Sequence, residues 1–419
     1  MTARWIWTFF GAALLSLATA VAGRADTSDV KGPPAVVVKK AGAHCKDDPN
    51  CFNRYHPAIK PVARAKPGEL IVFETRDALD GDFSFDSIPE DVAAANLNLV
   101  HPMTGPVAID GAERGDVLAI TLVDIAPDDY GYTVIVPGFG FLRDVFPDPW
   151  IANWRLTRLE ATSEQIPGVA IPFIGFMGTV GVLPGEPEIE VWLEREAKLA
   201  EAGGVVLTPQ PTDALPADVC GPNGRHKDKC LRTIPPRENG GNMDIKQMQV
   251  GTTLLLPCFI DGCGLFVGDV HYAQGDGEVS GTAIEMGAKV TVVTEVRKGL
   301  GALVTVPHYE GGDQLKALEP AEFYATTGLP LKDAGEIPAY ATYIDGEKLG
   351  PLTNLSEDLT LAARHALLEM IDYLVKEKGL TREQAYVVSS VAVDLRIGQL
   401  VDVPNYIVSA ILPLTIFKE

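Results

Sequence analysis

A series of short runs rich in β-branched and aliphatic residues, each bounded by glycine, proline or aspartate, limits what this chain can fold into. They lie at residues 70–74, 117–125, 133–136, 251–258, 289–296 and 302–306. Side chains branched at Cβ suit the pleated surface of a sheet and the bounding residues supply turns, so each run reads as a strand. Pro67-Gly68-Glu69 and Glu113-Arg114-Gly115-Asp116 are turn chemistry of the same kind. The 41 glycines and 31 prolines fit many short strands better than a helical chain. A parallel α/β sheet would need helices between its strands, and no long amphipathic pattern occurs before the C-terminal third.

In that third, Leu359, Ala363, Ala366, Leu367, Met370, Ile371 and Leu374 recur at helical spacing, with Gly379 as the stop. Thr381 and Gln384 form a capping box for a second helix. Residues 389–403 then read as extended and buried, and a short charged helix is predicted at 194–202. Strands followed by helices predict a strand-rich α+β protein, with sandwich-like β sheets and a C-terminal helical segment. At 419 residues and 46% hydrophobic, the chain can bury a large core.

The N-terminus reads as an address. Arg4 precedes an apolar stretch at 5–20, small residues at Ala18, Ala20 and Ala22 fit a signal-peptidase site, and Arg24 and Asp26 end the run. The stretch is shorter than the ~20 residues of a membrane span, so we expect cleavage and export, to the periplasm or the medium. The six cysteines all follow this segment and fall into close pairs, Cys45–Cys51, Cys220–Cys230 and Cys258–Cys263. In an oxidising compartment these are expected as disulfides, since the spacings are unlike those of a CxxC metal site. The net charge of −21 argues against nucleic acid or an anionic membrane surface as partner, both of which need basic patches.

Chemistry concentrates at residues 268–286, GDVHYAQGDGEVSGTAIEM. This stretch packs Asp269, His271, Asp276, Glu278 and Glu285 together with Gln274 and the glycines 268, 275, 277 and 281. Glycine opens backbone conformations closed to other residues and lets a ligand approach the main chain. Carboxylates and an imidazole on such a backbone suit a divalent metal or an acid/base pair beside a polarised carbonyl; a solvated acidic loop has the same composition. The glycine-aromatic stretches at 137–140 and 172–178 lack the order of a phosphate-cradling loop and read as sheet-packing turns.

Residues 268–286 resemble the signature of the acetamidase/formamidase family, whose members hydrolyse small amides to a carboxylate and ammonia. Asn239-Gly-Gly-Asn242-Met-Asp244-Ile-Lys246, Phe52-Asn-Arg-Tyr-His56-Pro57, His101-Pro102-Met-Thr-Gly105-Pro106 and the C-terminal segment resemble the same family. Asn239 stands where some members have histidine. The likeness implies one amidase unit after a signal at 1–25: a β-rich part at 26–200, an irregular cysteine-containing linker at 201–240, and a part at 241–419 carrying the signature and the helices.

Amide hydrolysis needs an activated water, an electrophile for the carbonyl oxygen and a proton for the leaving amine. A divalent metal, zinc or calcium, held by Asp244, His271 and Asp276 would serve the first two needs. Glu278 or Glu285 would then act as general base and later as acid, with His271 also catalytic. Asn242, Gln274, His56 and His101 are expected to contact substrate. No organic cofactor is implied. No Gly-x-Ser-x-Gly elbow is present, and disulfide-bonded cysteines cannot attack a carbonyl. Self-association into a homo-oligomer is expected. The competing reading is an exported, calcium-stabilised binding module without turnover, against which the imidazole of His271 argues.

Overall fold

The structure is a computed structural model that describes residues 36–418 except 204–205, 337–347, 349, 354–357 and 402–404. The expected signal segment at 1–25 lies outside the described residues. Two long antiparallel strands form the spine, Val117–Ile135 and Glu285–Arg297, paired from Val117 opposite Arg297 to Tyr132 opposite Glu285. Leu70–Thr75 flanks the second of these. The first is flanked by Thr253–Pro257 at its start and by Trp150–Leu156 at its end. Each long strand thus changes partner along its length, which ties the layers of the sheet together. Among the described residues only Val36–Val38 and Ala63–Ala65 pair in parallel with their neighbours. The protein is strand-rich α+β, as the punctuated β-branched runs predict.

The runs at 117–125 and 133–136 belong to one strand rather than two. Pro127 passes through it because the register with Glu285–Arg297 slips between Met286 and Ala288, at a bulge where the missing N–H is tolerated. The expected strand at 302–306 does not form. Leu300–Ala302 is a 3₁₀ turn, Leu303 and Val306 are exposed, and only Val304 is buried, against Val117, Ala119 and Leu255. The charged helix begins earlier than its surface pattern suggests, at Glu186, where Pro187 suits the first turn. It buries Ile189 and Trp192, the latter edge-on to Phe259.

The C-terminal helices are Leu359–Lys378, ended by Gly379 in the left-handed conformation, and Arg382–Ala392, opened by the Thr381/Gln384 capping box. Residues 389–392 complete the second helix; the extended segment is Asp394–Gln399, and 402–403 lie outside the described residues. With Phe323–Gly328 and Ile407–Pro413 it makes a separate three-stranded antiparallel sheet. Gly328 lets that sheet approach the first helix, since a Cβ there would collide with the backbone of Ala362. No helix among the described residues is long and apolar enough to cross a membrane. All three expected disulfides are present, with Cα separations of 5.2, 5.6 and 4.8 Å.

Candidate active site

The site forms where Leu265–His271 meets the spine. His271 pairs with Glu285 across one edge and with Phe176 of the strand Phe176–Val182 across the other. Phe176–Val182 in turn pairs with Gly240–Asn242, Thr179 lying opposite Asn242. Adjacent strands therefore deliver Asn242, Thr179, Asp269, His271 and Glu285 to one place. Asp269 and His271, two apart on a strand, share a face. The turn after Asn242 adds Asp244, reached through Gly240 and Gly241, which stand at φ 85° and 92°. The glycine-hinged loop after His271 adds Glu278.

His271 is the hub. Its Nε2 lies 3.3 Å from Glu285 Oε2, 3.5 Å from Asp269 Oδ1 and 4.0 Å from Glu278 Oε1. On the other side of the ring, Nδ1 meets Gln274 Oε1 at 2.8 Å, and Gln274 Nε2 donates to the Asp244 carbonyl at 2.7 Å. The Gln274 amide thereby fixes the ring and couples it to the Asp244 turn. Phe176 stands edge-on to the imidazole at 5.1 Å. Below it, Gly178 leaves the necessary space: a Cβ there would come within 2.7 Å of His271 Nε2. Thr179 Oγ1 bridges Asn242 Oδ1 and Asp269 Oδ2, at 2.7 and 3.0 Å. His101 Nε2 lies 3.9 Å from Asp269 Oδ2.

Two observations mark this cluster as a site rather than packing. Asp244, Asp269 and Glu278 all stand at positive φ, 52°, 48° and 44°. For residues other than glycine this costs about 1–3 kcal/mol each and persists where the surroundings impose it. Moreover, His271 Nε2, Asp269 Oδ1, Glu285 Oε2 and Asp244 Oδ1 are buried without a hydrogen-bond partner. Buried polar atoms are ordinarily satisfied, and these four lie together. They fit a divalent cation. The donor atoms of Asp244, His271 and Glu278 lie within 4.8 Å of one another, as do those of Asp269, His271 and Glu285. An imidazole among carboxylates suits zinc and similar transition ions better than calcium.

Burial and crowding of like charges set the electrostatics. Burial pushes the Glu278 and Glu285 carboxyls up to about 8, against the attraction of His271. Asp244 is also held well above the ordinary carboxylate range, first by burial and then by Glu278. His271 is raised because Glu285 and Asp269 outweigh its own burial. Asp269 is lowered because His101 and His271 outweigh burial. Burial depresses His101. The site thus holds carboxyl groups poised near neutrality beside one firmly ionised carboxylate. The cluster opens into a cavity of about 320 Å³ whose remaining wall is largely apolar.

The structure brings together Asn242, Asp244, His271, Glu278, Glu285 and His101, as expected from the sequence. It places the others elsewhere. Asp276 faces away from the cluster: its carboxylate accepts from Gln247 Nε2 and its N–H donates to Asp394, which also holds Lys246. The turn between Gly275 and Gly277 points it outward, so it is no ligand of this site. Gln274 positions His271 and does not line the cavity. His56 accepts from the Ala58 N–H and stacks on His226 at 4.0 Å, bordering a different cavity. Its neighbours Asn53 and Arg54 grip the linker at Asp213, Leu215, Gln210 and Thr212, so this run is a clamp. Asn239 donates to the Val182 carbonyl, outside the cavity lining. The turn at 137–140, expected only to pack the sheet, contributes Phe139 to the cavity wall.

Sequence reasoning passed over Asp269 and Thr179 as site residues. The signal for Asp269 was available, because it stands two residues before His271 in a strand-like run. Thr179 carries no such signal, since only sheet register sets it against Asn242 and Asp269.

The model of the acetamidase/formamidase family matches residues 38–419. The acetamidase of Mycolicibacterium smegmatis is 33% identical over 366 residues, covering 80% of this chain and 84% of the relative. The formamidase of Methylophilus methylotrophus is 29% identical, covering 89% and 91%. Among solved structures, a gamma lactamase from Delftia acidovorans superposes with a TM-score of 0.82 at 31% identity, covering 92% of this chain and 94% of that one.

Proposed function

We propose that this chain, which belongs to the acetamidase/formamidase family and is an amide hydrolase, cleaves the C–N bond of a small amide with water activated inside the His271 cluster. The observation that carries the reading is the set of unpartnered buried atoms on His271, Asp269, Glu285 and Asp244 at one cavity. A divalent cation held by His271 and these carboxylates would lower the pKa of water and polarise the amide carbonyl.

The chain's own groups account for the proton traffic. Glu278, its carboxyl pushed up to about 8 by burial, is matched to taking a proton from the attacking water and giving it to the departing nitrogen, while Glu285 would help to hold the cation. Asp269, kept ionised, holds His271 and His101 in place. Asn242, which meets Thr179 and lines the cavity, would contact the substrate amide. The three disulfides support work in an oxidising compartment after export.

A cyclic amide is the second reading, favoured by the overlap with the Delftia gamma lactamase. The deciding experiment is ammonia release from short linear amides, run beside ring opening of a γ-lactam, with metal-replete and chelator-treated protein. Ammonia release that chelation abolishes and zinc restores is expected. Release that survives chelation would remove the metal and leave the work to the carboxylates. Ring opening without ammonia release would select the lactam. Silence in every arm would leave a metal-stabilised binding module.

A further inference from the structure

We infer that the substrate carries a bulky apolar acyl group, ring-sized rather than a single methyl; this rests on the amidase reading above. The cavity holds about 320 Å³, room for about ten waters at ~30 Å³ each, far more than acetamide fills. Its polar side chains are those of the cluster, with Asn242, His101 and Thr282. Opposite in character stand Leu97, Val136, Ile234 and Met243, only partly buried, and the exposed Phe139, which line the same cavity. They come from separate stretches of the chain, so their convergence belongs to the fold and not to one greasy loop. Apolar side chains left uncovered in a concave site beside a few fixed polar groups are the mark of a pocket for an apolar ligand.

The wall is built and not incidental. Gly138 and Gly140 turn the chain at φ 79° and 92°, and Gly140 lies so close to Ser280 that a Cβ would come within 2.6 Å of its carbonyl oxygen. The turn presses the Phe139 ring onto Gly281, where a Cβ would meet it at 2.6 Å. Gly281 lies between Glu278 and Glu285 in the chain, so the aromatic wall is held against the loop that carries the reacting groups. Ammonia is the leaving group in the amidase reading. The apolar volume therefore belongs to the acyl side.

The test uses the mature, metal-replete protein and measures kcat/KM by ammonia release for formamide, acetamide, isobutyramide and phenylacetamide. A rise of at least about tenfold from acetamide to phenylacetamide is expected, since a methylene in a fitted apolar pocket is worth about 10–200-fold. Ile234→Trp should lower the phenylacetamide-to-acetamide ratio at least about tenfold by filling the pocket. Val136→Phe supplies the same readout if that variant does not fold. Formamide or acetamide as best substrate, or a ratio that neither variant moves, would overturn the inference and leave the amidase reading standing. Ammonia from none of the series would bring down both.

Discussion

His271 owes its position to what surrounds it more than to its own conformation. Gln274 holds one ring nitrogen, Gly178 leaves room beneath the other, and three carboxylates face that second nitrogen. His271→Ala should lower kcat by at least about 10²-fold, the usual scale for a positioned acid–base or ligand group, with an unchanged circular dichroism spectrum. Turnover equal to the wild type would remove His271 from the mechanism. Gly178→Ala should be comparably inactive, because the added methyl meets the ring itself. The carboxyls also predict a pH dependence. Glu278 and Glu285 titrate at about 8 in the folded protein against about 4.5 when unfolded, so the fold favours their protonated forms. That contribution is present below pH 4.5 and is lost as pH rises toward 8. Chelator-treated protein should therefore unfold at lower urea concentration at pH 8 than at pH 5, and Glu285→Gln should flatten the decline. Zinc at about 100 times its Kd should return about 2.7 kcal/mol at the higher pH.

At the scale of elements, the C-terminal helix Arg382–Ala392 shapes the site without entering it. Ser390 Oγ accepts from the Ser280 N–H, the Ser390 carbonyl accepts from the Gly275 N–H, and Tyr386 Oη donates to the Val279 carbonyl while accepting from Leu142. Three of these bonds grip the loop that carries Glu278, and the fourth ties Leu142 to the same hydroxyl. Tyr386→Phe leaves the buried Leu142 N–H unpaired, while the Val279 carbonyl keeps the Phe141 N–H, and the orphaned donor costs about 1–3 kcal/mol. Urea unfolding should register that loss, and kcat should fall, because the loop carries Glu278. A Tyr386→Phe enzyme with unaltered kcat would detach the helix from the site. The helix was legible from Thr381 and Gln384; its grip on the signature loop was not, since it depends on which turn of the helix meets which carbonyl.

Across the whole molecule, the disulfides and the branched sheet share the task of holding loops on a rigid frame. The pairs close short loops, with sequence separations of 6, 10 and 5, so each should stabilise by about 2–3 kcal/mol in the chain-entropy account. Thiol titration of the unfolded, unreduced protein should find no free cysteine. Reduction should lower the unfolding midpoint, most sharply if the Cys220–Cys230 loop loosens the linker that Asn53 and Arg54 clamp.

Local rules were enough to establish the strand-rich α+β class, both C-terminal helices, the cysteine pairs and the stretch carrying His271, Glu278 and Glu285. Strand punctuation, helix caps and loop closure act over a few residues, and those are written in order along the chain. Register and orientation are not. Whether Asp276 or Asp269 faces the imidazole depends on a glycine-hinged turn, and Thr179 becomes a site residue only because its strand lies between two others. His56 was drawn away from the site by packing against His226 and the linker. The cavity, with Phe139 on one side and four unpaired buried atoms on the other, exists only after distant segments converge. Tertiary structure alone decided it, because burial, and the pKa shifts that follow from burial, have no meaning until the chain has closed on itself.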